Sequence, residues 1–290
     1  MIPAGVTDLA RAVDSHAHVY DVERYPFHPS SAFTLLPNEP GNAAAYRAVL
    51  DAHGITHALL VQPLGGYGVD NRYLLETIAA SGGRFRGIAV VPHDIADREL
   101  DALGAGGVIG VRFNLSHEAS PPLEGPGGSR TLARARSRGW FAQIHFEGDR
   151  IVDALPILER SGIDLVIDHC GRPEMERGLR QPGFQALLAL GRAGRAAVKL
   201  SGVFRFSRAG SPYADADPYA QALVDAFTVD RCVWGSDWPF VRAKARVDYG
   251  PLLACLARWF PDPGDRRKVL WDNPARLFGF ATSAPDRRSA

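Results

Sequence analysis

His16 and His18 stand two residues apart at the end of an apolar segment, in the run Asp14-Ser15-His16-Ala17-His18. Strand geometry repeats every two residues, so both imidazoles fall on one face. Two imidazoles on one face can bind a metal or donate hydrogen bonds to a carbonyl. By itself an HxH is just as readily a pair of structural histidines. Other apolar segments, however, also stop on titratable groups. They end Gly110-Val111-Arg112-Phe113-Asn114, Gln143-Ile144-His145-Phe146-Glu147, Ile167-Asp168-His169-Cys170-Gly171, Val198-Lys199-Leu200-Ser201-Gly202 and Trp234-Gly235-Ser236-Asp237-Trp238-Pro239. Burying so many ionisable groups without a task is costly, and such groups concentrate at functional sites. A carboxylate at Asp237, with imidazoles from other segments, can supply a general base for water beside donors for a developing oxyanion.

Arg112 interrupts a segment that is apolar on both sides, and a guanidinium fork suits a carboxylate. Arg72, Asn114 and His145 join it as candidate substrate-binding residues, and Arg242 is a further cation. Only three of the 33 basic residues are lysines, so an arginine alone carries little information and Lys199 carries more. Lys199 reads as a Schiff-base amine or as a site-wall and charge-balancing group, the second being favoured by its KLSG context. Alternation turns Cys170 away from His169, which makes it a buried core thiol. Asp14 shares a face with His16 at a deeper level and is expected to orient an imidazole or a backbone group. Trp238 is expected to pack.

The elements that position these residues alternate. Strands are expected over Val13–Val19, Ile55–Gln62, Phe85–Val91, Val108–Leu115, Trp140–Glu147, Asp164–Cys170, Ala196–Gly202 and Arg231–Trp238, apolar runs bounded by Gly and Pro. Helical spacing falls over Ala43–Ala52, Asn71–Ala80, Asp97–Leu103, Arg150–Arg160, Phe184–Ala193 and Tyr219–Phe227. Eight such repeats predict an α/β (β/α)8 TIM barrel, a single domain over residues 1–290, with polar residues at the C-terminal strand ends. A doubly wound sheet would gather them at one switch point instead. Asp21–Gly41, Leu115–Ser129 and Phe204–Pro218 read as long loops on the active face, and Ala281–Ala290 as a frayed tail.

Composition narrows the partners. The chain of 290 residues carries 33 basic and 32 acidic side chains, a net charge of +1. That balance gives no electrostatic case for nucleic acid or an anionic membrane. No apolar run approaches the ~20 residues needed to span a bilayer, and Met1–Arg11 lacks the features of a secretory signal. Three cysteines without a CxxC read as reduced thiols in the cytoplasm. The expected partner is a small-molecule carboxylate, and the oligomeric state is left open.

HxH on strand one, histidines on strands five and six, and Asp237 within GSDWP on strand eight resemble the amidohydrolase superfamily over Val13–Phe280. RYPFHP (Arg24–Pro29), VQPLGGYGVDNRYLL (Val61–Leu75), GVRFN (Gly110–Asn114), DHCGRP (Asp168–Pro173), KLSG (Lys199–Gly202) and VWGSDWPF (Val233–Phe240) are similar to its lactonase branch. The resemblance implies hydrolysis of a cyclic ester bearing carboxylates, such as a pyrone dicarboxylate, with no cofactor required. Asp237 would take the proton from water, and His16, His18 and His169 would polarise the lactone carbonyl. Arg112 and Arg205 would bind substrate carboxylates. Two positions depart from the branch. His145 replaces a tyrosine, and Ser116-His117-Glu118 stands where a basic residue is usual. Those changes point to fewer or differently placed carboxylates, as on sugar-acid or muconolactone-type rings.

His145 also allows a metal set of His16, His18, His145 and Asp237 for a single Zn²⁺ or Mn²⁺. That set would suit the alternative activity, metal-dependent decarboxylation of an aromatic or unsaturated carboxylic acid. The superfamily's carboxylated lysine belongs on strand four, where this chain has Arg112, so a two-metal centre is not expected. A non-catalytic binding barrel is the third reading, and the retained Asp237 and four histidines argue against it.

Overall fold

The computed structural model describes residues 10–29, 31–36, 39 and 41–280. The Ala281–Ala290 tail and most of Met1–Arg11 lie outside them. The eight strands are β1 (Val13–Ala17), β2 (His57–Val61), β3 (Phe85–Ala89), β4 (Val108–Asn114), β5 (Phe141–His145), β6 (Leu165–Ile167), β7 (Ala196–Leu200) and β8 (Cys232–Trp234). Each pairs in parallel with the next, in the order β1 to β8. Between strands the chain forms α1 (Ala43–Ala52), a kinked turn α2 (Leu64–Tyr67), α3 (Arg72–Ala79), α4 (Asp97–Ala105), α5 (Gly125–Ser137), α6 (Ile151–Ser161), α7 (Pro182–Arg192) and α8 (Asp217–Phe227). After β8 come α9 (Tyr249–Trp259), α10 (Pro263–Arg267) and α11 (Asn273–Phe278). This is the expected (β/α)8 barrel.

The strands form because their residues are β-branched or bulky and buried on both faces, as parallel strands require. The helices form because one stripe of each is apolar. In α3 the buried residues Tyr73, Leu74, Thr77 and Ile78 recur at helical spacing. Asn42 caps α1, its side chain accepting from Ala45 N. Among the described residues, no helix is long and apolar enough to cross a membrane. One apolar cluster joins Val13, Leu59, Phe141, Val166, Ala197 and Val233 to Trp271 and Phe278 of the C-terminal segment. These strand residues lie below the polar ends, so the mouth stands on an apolar floor.

Three expectations need correction. Residues 125–129, read as loop, open α5, where Pro126 suits the first helical turn. β6 and β8 stop at Ile167 and Trp234, earlier than expected. Beyond β6 the backbone turns left-handed at His169, Cys170 and Arg172, with φ of 51°, 55° and 39°, so alternation no longer assigns their faces. Cys170 is nonetheless fully buried. Finally, β1 changes register against β2 between Asp14 and Ala17. Such an irregularity breaks the period-two rule, and Asp14 and His16 face different neighbours.

Candidate active site

The β1 irregularity sends Asp14 toward the helices. Its carboxylate accepts from the hydroxyls of Tyr46 on α1 (2.9 Å) and Tyr249 on α9 (3.0 Å). It also accepts from Ser236 N (2.8 Å), Ser236 Oγ (2.5 Å) and His16 N (3.2 Å). No β-ladder joins β1 to β8 beyond a single bridge between Ala17 and Trp238. Asp14 therefore closes the barrel seam with its side chain. Asp237 N to His16 O and His18 N to Trp238 O, both 2.8 Å, continue that seam to the mouth. Trp238 packs as expected, stacking on Tyr46 with centroids 4.9 Å apart.

Around Asp237 three imidazoles converge. His16 Nε2, His18 Nε2 and His169 Nε2 lie 3.8, 3.6 and 3.7 Å from its Oδ1. His16 and His18 approach to 3.2 Å through their Nε2 atoms. The other carboxylate oxygen, Oδ2, accepts from Arg205 Nε. Oδ1 is buried and has no hydrogen-bond partner. Burial makes the imidazoles poor bases, since it disfavours the charged form. It brings His16 and His18 down to about 3, helped by Lys199 at His16 and Arg112 at His18. His169 is lowered well below the ordinary value by burial and then by His16.

Beneath His16 lies a buried polar hub, in which Lys199 takes the charge-balancing role expected of it and Asp168 and Gln143 have roles that the sequence did not assign. Asp168 Oδ1 faces His16 Nδ1 (3.2 Å) and Lys199 Nζ (3.3 Å). Its Oδ2 accepts from Gln143 Nε2 (2.9 Å) and forms an ion pair with Arg112 Nη2 at 3.3 Å. Lys199 Nζ donates to Gln143 Oε1 at 2.6 Å. Asp168 and Lys199 are fully buried. The cations of Lys199 and Arg112 hold the carboxylate well below its usual range against the opposing effect of burial. Burial in turn brings Lys199 down to about 8. The available signal was polar residues, Gln143 and Asp168, breaking apolar strands.

The remaining candidates separate. Arg112 is buried at the mouth, with Nε lacking a partner. Asn114 stands beside His145 in register, but its side chain accepts from Ser116 N (3.0 Å). His145 does not join Asp237. Its nitrogens lie 3.9 Å from Glu147 Oε1 and 3.9 Å from Asp168 Oδ2, and its ring meets that of His169, which in turn meets His16. Arg72 is not brought to the site. Its side chain is 71% exposed and bonded to Asp70 at 2.6 Å, because helical phase turns it outward from α3. Arg242 is also exposed, with Nη2 on Thr34 O at 3.3 Å. Arg205 and Glu147 additionally line a cavity of about 840 Å³ with Arg172, Phe204, Tyr213 and Lys244.

A metal would fit the Asp237 cluster. A tetrahedron built on bonds of ~2.0–2.1 Å has edges of ~3.3–3.4 Å, so donor atoms 3.2–3.8 Å apart need close by only a few tenths of an ångström around an ion. The fitting set is His16, His18, His169 and Asp237, with His169 taking the place expected for His145. Of these four, one grouping of possible ligands among the described residues joins His16, His169 and Asp237, and a second, separate grouping joins His145, Asp168 and His169.

Comparison with known proteins places this geometry. A 4-sulfomuconolactone hydrolase of Rhizobium radiobacter is 34% identical over 279 residues, 92% of this chain and 90% of the relative. A 2-pyrone-4,6-dicarboxylate hydrolase of Comamonas testosteroni is 31% identical over 288 residues, 96% of this chain and 91% of the relative. A solved Pseudomonas putida structure, described as a candidate 2-pyrone-4,6-dicarboxylic acid hydrolase, superposes with a TM-score of 0.84 at 34% identity, covering 94% of this chain and 98% of that one. The amidohydrolase family profile matches residues 13–280. The chain belongs to the amidohydrolase family.

Proposed function

We propose that this protein hydrolyses a carboxylate-bearing lactone, a 2-pyrone-4,6-dicarboxylate-like or muconolactone-type ring. One observation carries the reading. Asp237 presents a buried oxygen without a partner to a point shared by three neutral imidazoles. A base with a free oxygen beside groups that meet a carbonyl is what ester hydrolysis needs. Relatives over 30% identical along nearly their whole length act on such rings by name.

Arg205 fixes Asp237 by its Oδ2, and Oδ1 takes a proton from water as the water oxygen bonds to the lactone carbonyl carbon. The oxyanion forms against His16, His18 and His169. The ring C–O bond then breaks, and the proton held by Asp237 passes to the leaving oxygen. Arg112, whose Nε is buried and unpartnered, receives a ring carboxylate. If a divalent metal is bound, His16, His18, His169 and Asp237 hold it, and it supplies Lewis acidity and a more acidic water.

Product analysis tests this reading. Incubation with 2-pyrone-4,6-dicarboxylate, a muconolactone and a sugar-acid lactone should give, from at least one ring, an acid heavier by one water. Release of CO₂ from an aromatic acid, with no lactone opened, would favour decarboxylation and overturn it.

A further inference from the structure

Glu147 follows β5 and Arg172 follows β6. Their loops are tied together, Gly148 N donating to Arg172 O at 3.2 Å. Their side chains meet as well, Arg172 Nη1 donating to Glu147 Oε1. Both residues line the cavity that Arg205 also faces. Burial lowers the Arg172 guanidinium from its ordinary value, and the charges that act on it next are Glu147, Arg205 and Asp237. The pair therefore adjoins the Asp237 cluster on its cavity side. It adjoins Arg112 too. His145 has Nε2 3.9 Å from Glu147 Oε1 and Nδ1 3.9 Å from the Asp168 oxygen that pairs with Arg112. One imidazole separates the two ends, so a single substrate ring can reach both.

The two ends offer different chemistry. Arg112 presents a buried Nε with no partner, a donor with no acceptor competing for it. Arg172 comes with an acceptor already attached. One of its N–H groups is committed to Glu147 Oε1, and no described residue donates to Glu147 Oε2. The Glu147 side chain is 48% exposed, so that oxygen is open to the cavity. A donor and an acceptor side by side fit a hydroxyl, which accepts from the guanidinium and donates to the carboxylate. A second carboxylate fits badly. It has no proton for Glu147, it meets a like charge there, and the cation that would attract it is already neutralised.

We infer that Glu147 is a specificity-determining residue, which with Arg172 reads a hydroxyl on the lactone and turns away a second carboxylate at that end. The lactone opened best then bears one carboxylate, held by Arg112, and one hydroxyl, held by the Glu147–Arg172 pair. A dicarboxylate is opened less efficiently. Glu147 meets the substituent and not the reacting ester, so its effect falls on binding and KM.

The substrate statement rests on the lactone-hydrolase reading, whereas the binding chemistry can be read without turnover. Calorimetry gives Kd for two unreactive cyclic ethers, a tetrahydropyran dicarboxylate and the better bound of its two counterparts in which one carboxylate is replaced by a hydroxyl. Wild type should bind the hydroxyl ether at least about 10-fold more tightly. Glu147→Gln should lessen that preference by about 10- to 100-fold, the scale of one hydrogen bond to a charged group, mainly by binding the dicarboxylate more tightly. Adding Arg172→Gln should remove that gain. With the matching lactones, Glu147→Gln should shift KM in the same sense while kcat stays within about threefold. Wild type that binds the dicarboxylate as tightly as the hydroxyl ether, or more tightly, would overturn the inference whatever the variants do. So would an unchanged preference in Glu147→Gln. The calorimetric preference without any lactone opened would count against the proposed function alone.

Discussion

Arg205 donates from Nε to Oδ2 of Asp237, which leaves Oδ1 of the same carboxylate buried and unpartnered. The carboxylate is therefore anchored through one oxygen and available through the other. Arg205 comes from the 3₁₀ turn Val203–Arg205 after β7 and Asp237 from the segment after β8. Adjacent strands thus supply the base and its anchor. The sequence resemblance assigned Arg205 to a substrate carboxylate, and the structure gives it this second partner.

Removing the anchor should impair turnover more than folding. Arg205→Met deletes a charge-assisted hydrogen bond of about 1.5–3 kcal/mol. It should lower kcat/KM of ring opening by roughly 10- to 100-fold. Steady-state kinetics beside a urea melt check this. A variant with wild-type kcat/KM would remove Arg205 from the site.

Acid should destabilise the fold through His16 and His18. His16 and His18 are neutral when folded down to about pH 3, but the unfolded chain protonates them below about pH 6.5. Between those limits the unfolded state binds more protons, so stability is lost as pH falls. The slope is up to about 1.4 kcal/mol per pH unit for each histidine. Urea melts from pH 7 to pH 4 measure it, and His18→Gln should flatten it. A stability unchanged over that range would contradict the neutral assignment.

The seam should depend on Asp14. Asp14→Ala leaves the Tyr46 and Tyr249 hydroxyls and Ser236 N without their buried acceptor. A loss of about 3–5 kcal/mol is expected, the range for breaking a buried network. Chemical denaturation of the variant measures it, and a loss below about 1 kcal/mol would show that the seam holds without this carboxylate.

Much of this was legible before any coordinates. Strands rich in Val, Ile and Leu, six of the eight stopped by a titratable residue, reveal a barrel with a polar mouth. His16, His18, His169 and Asp237 follow from those stops. The missed features are those where one segment's pattern is decided by another. Asp14 leaves the face of His16 because β1 shifts register against β2. Asp168 becomes a hub only because β4, β5, β7 and β1 bring it Arg112, Gln143, Lys199 and His16. His145 ends its strand as the others do but faces Glu147 and Asp168 rather than Asp237, a distinction that strand periodicity does not carry.

Arg72 offers a test of that boundary. Its guanidinium is exposed and paired with Asp70, and exposed pairs contribute about 0–1 kcal/mol. Arg72→Ala should keep kcat and KM within about twofold of wild type. A large rise in KM for the lactone would return Arg72 to the substrate site.

The most direct test follows ultraviolet absorbance as 2-pyrone-4,6-dicarboxylate is opened by chelator-treated wild type and by Asp237→Asn. Turnover by wild type in chelator, and a fall of at least about 100-fold in kcat for the variant, is the result predicted for a carboxylate base. Asp237→Asn that opens the ring at the wild-type rate would contradict the central claim.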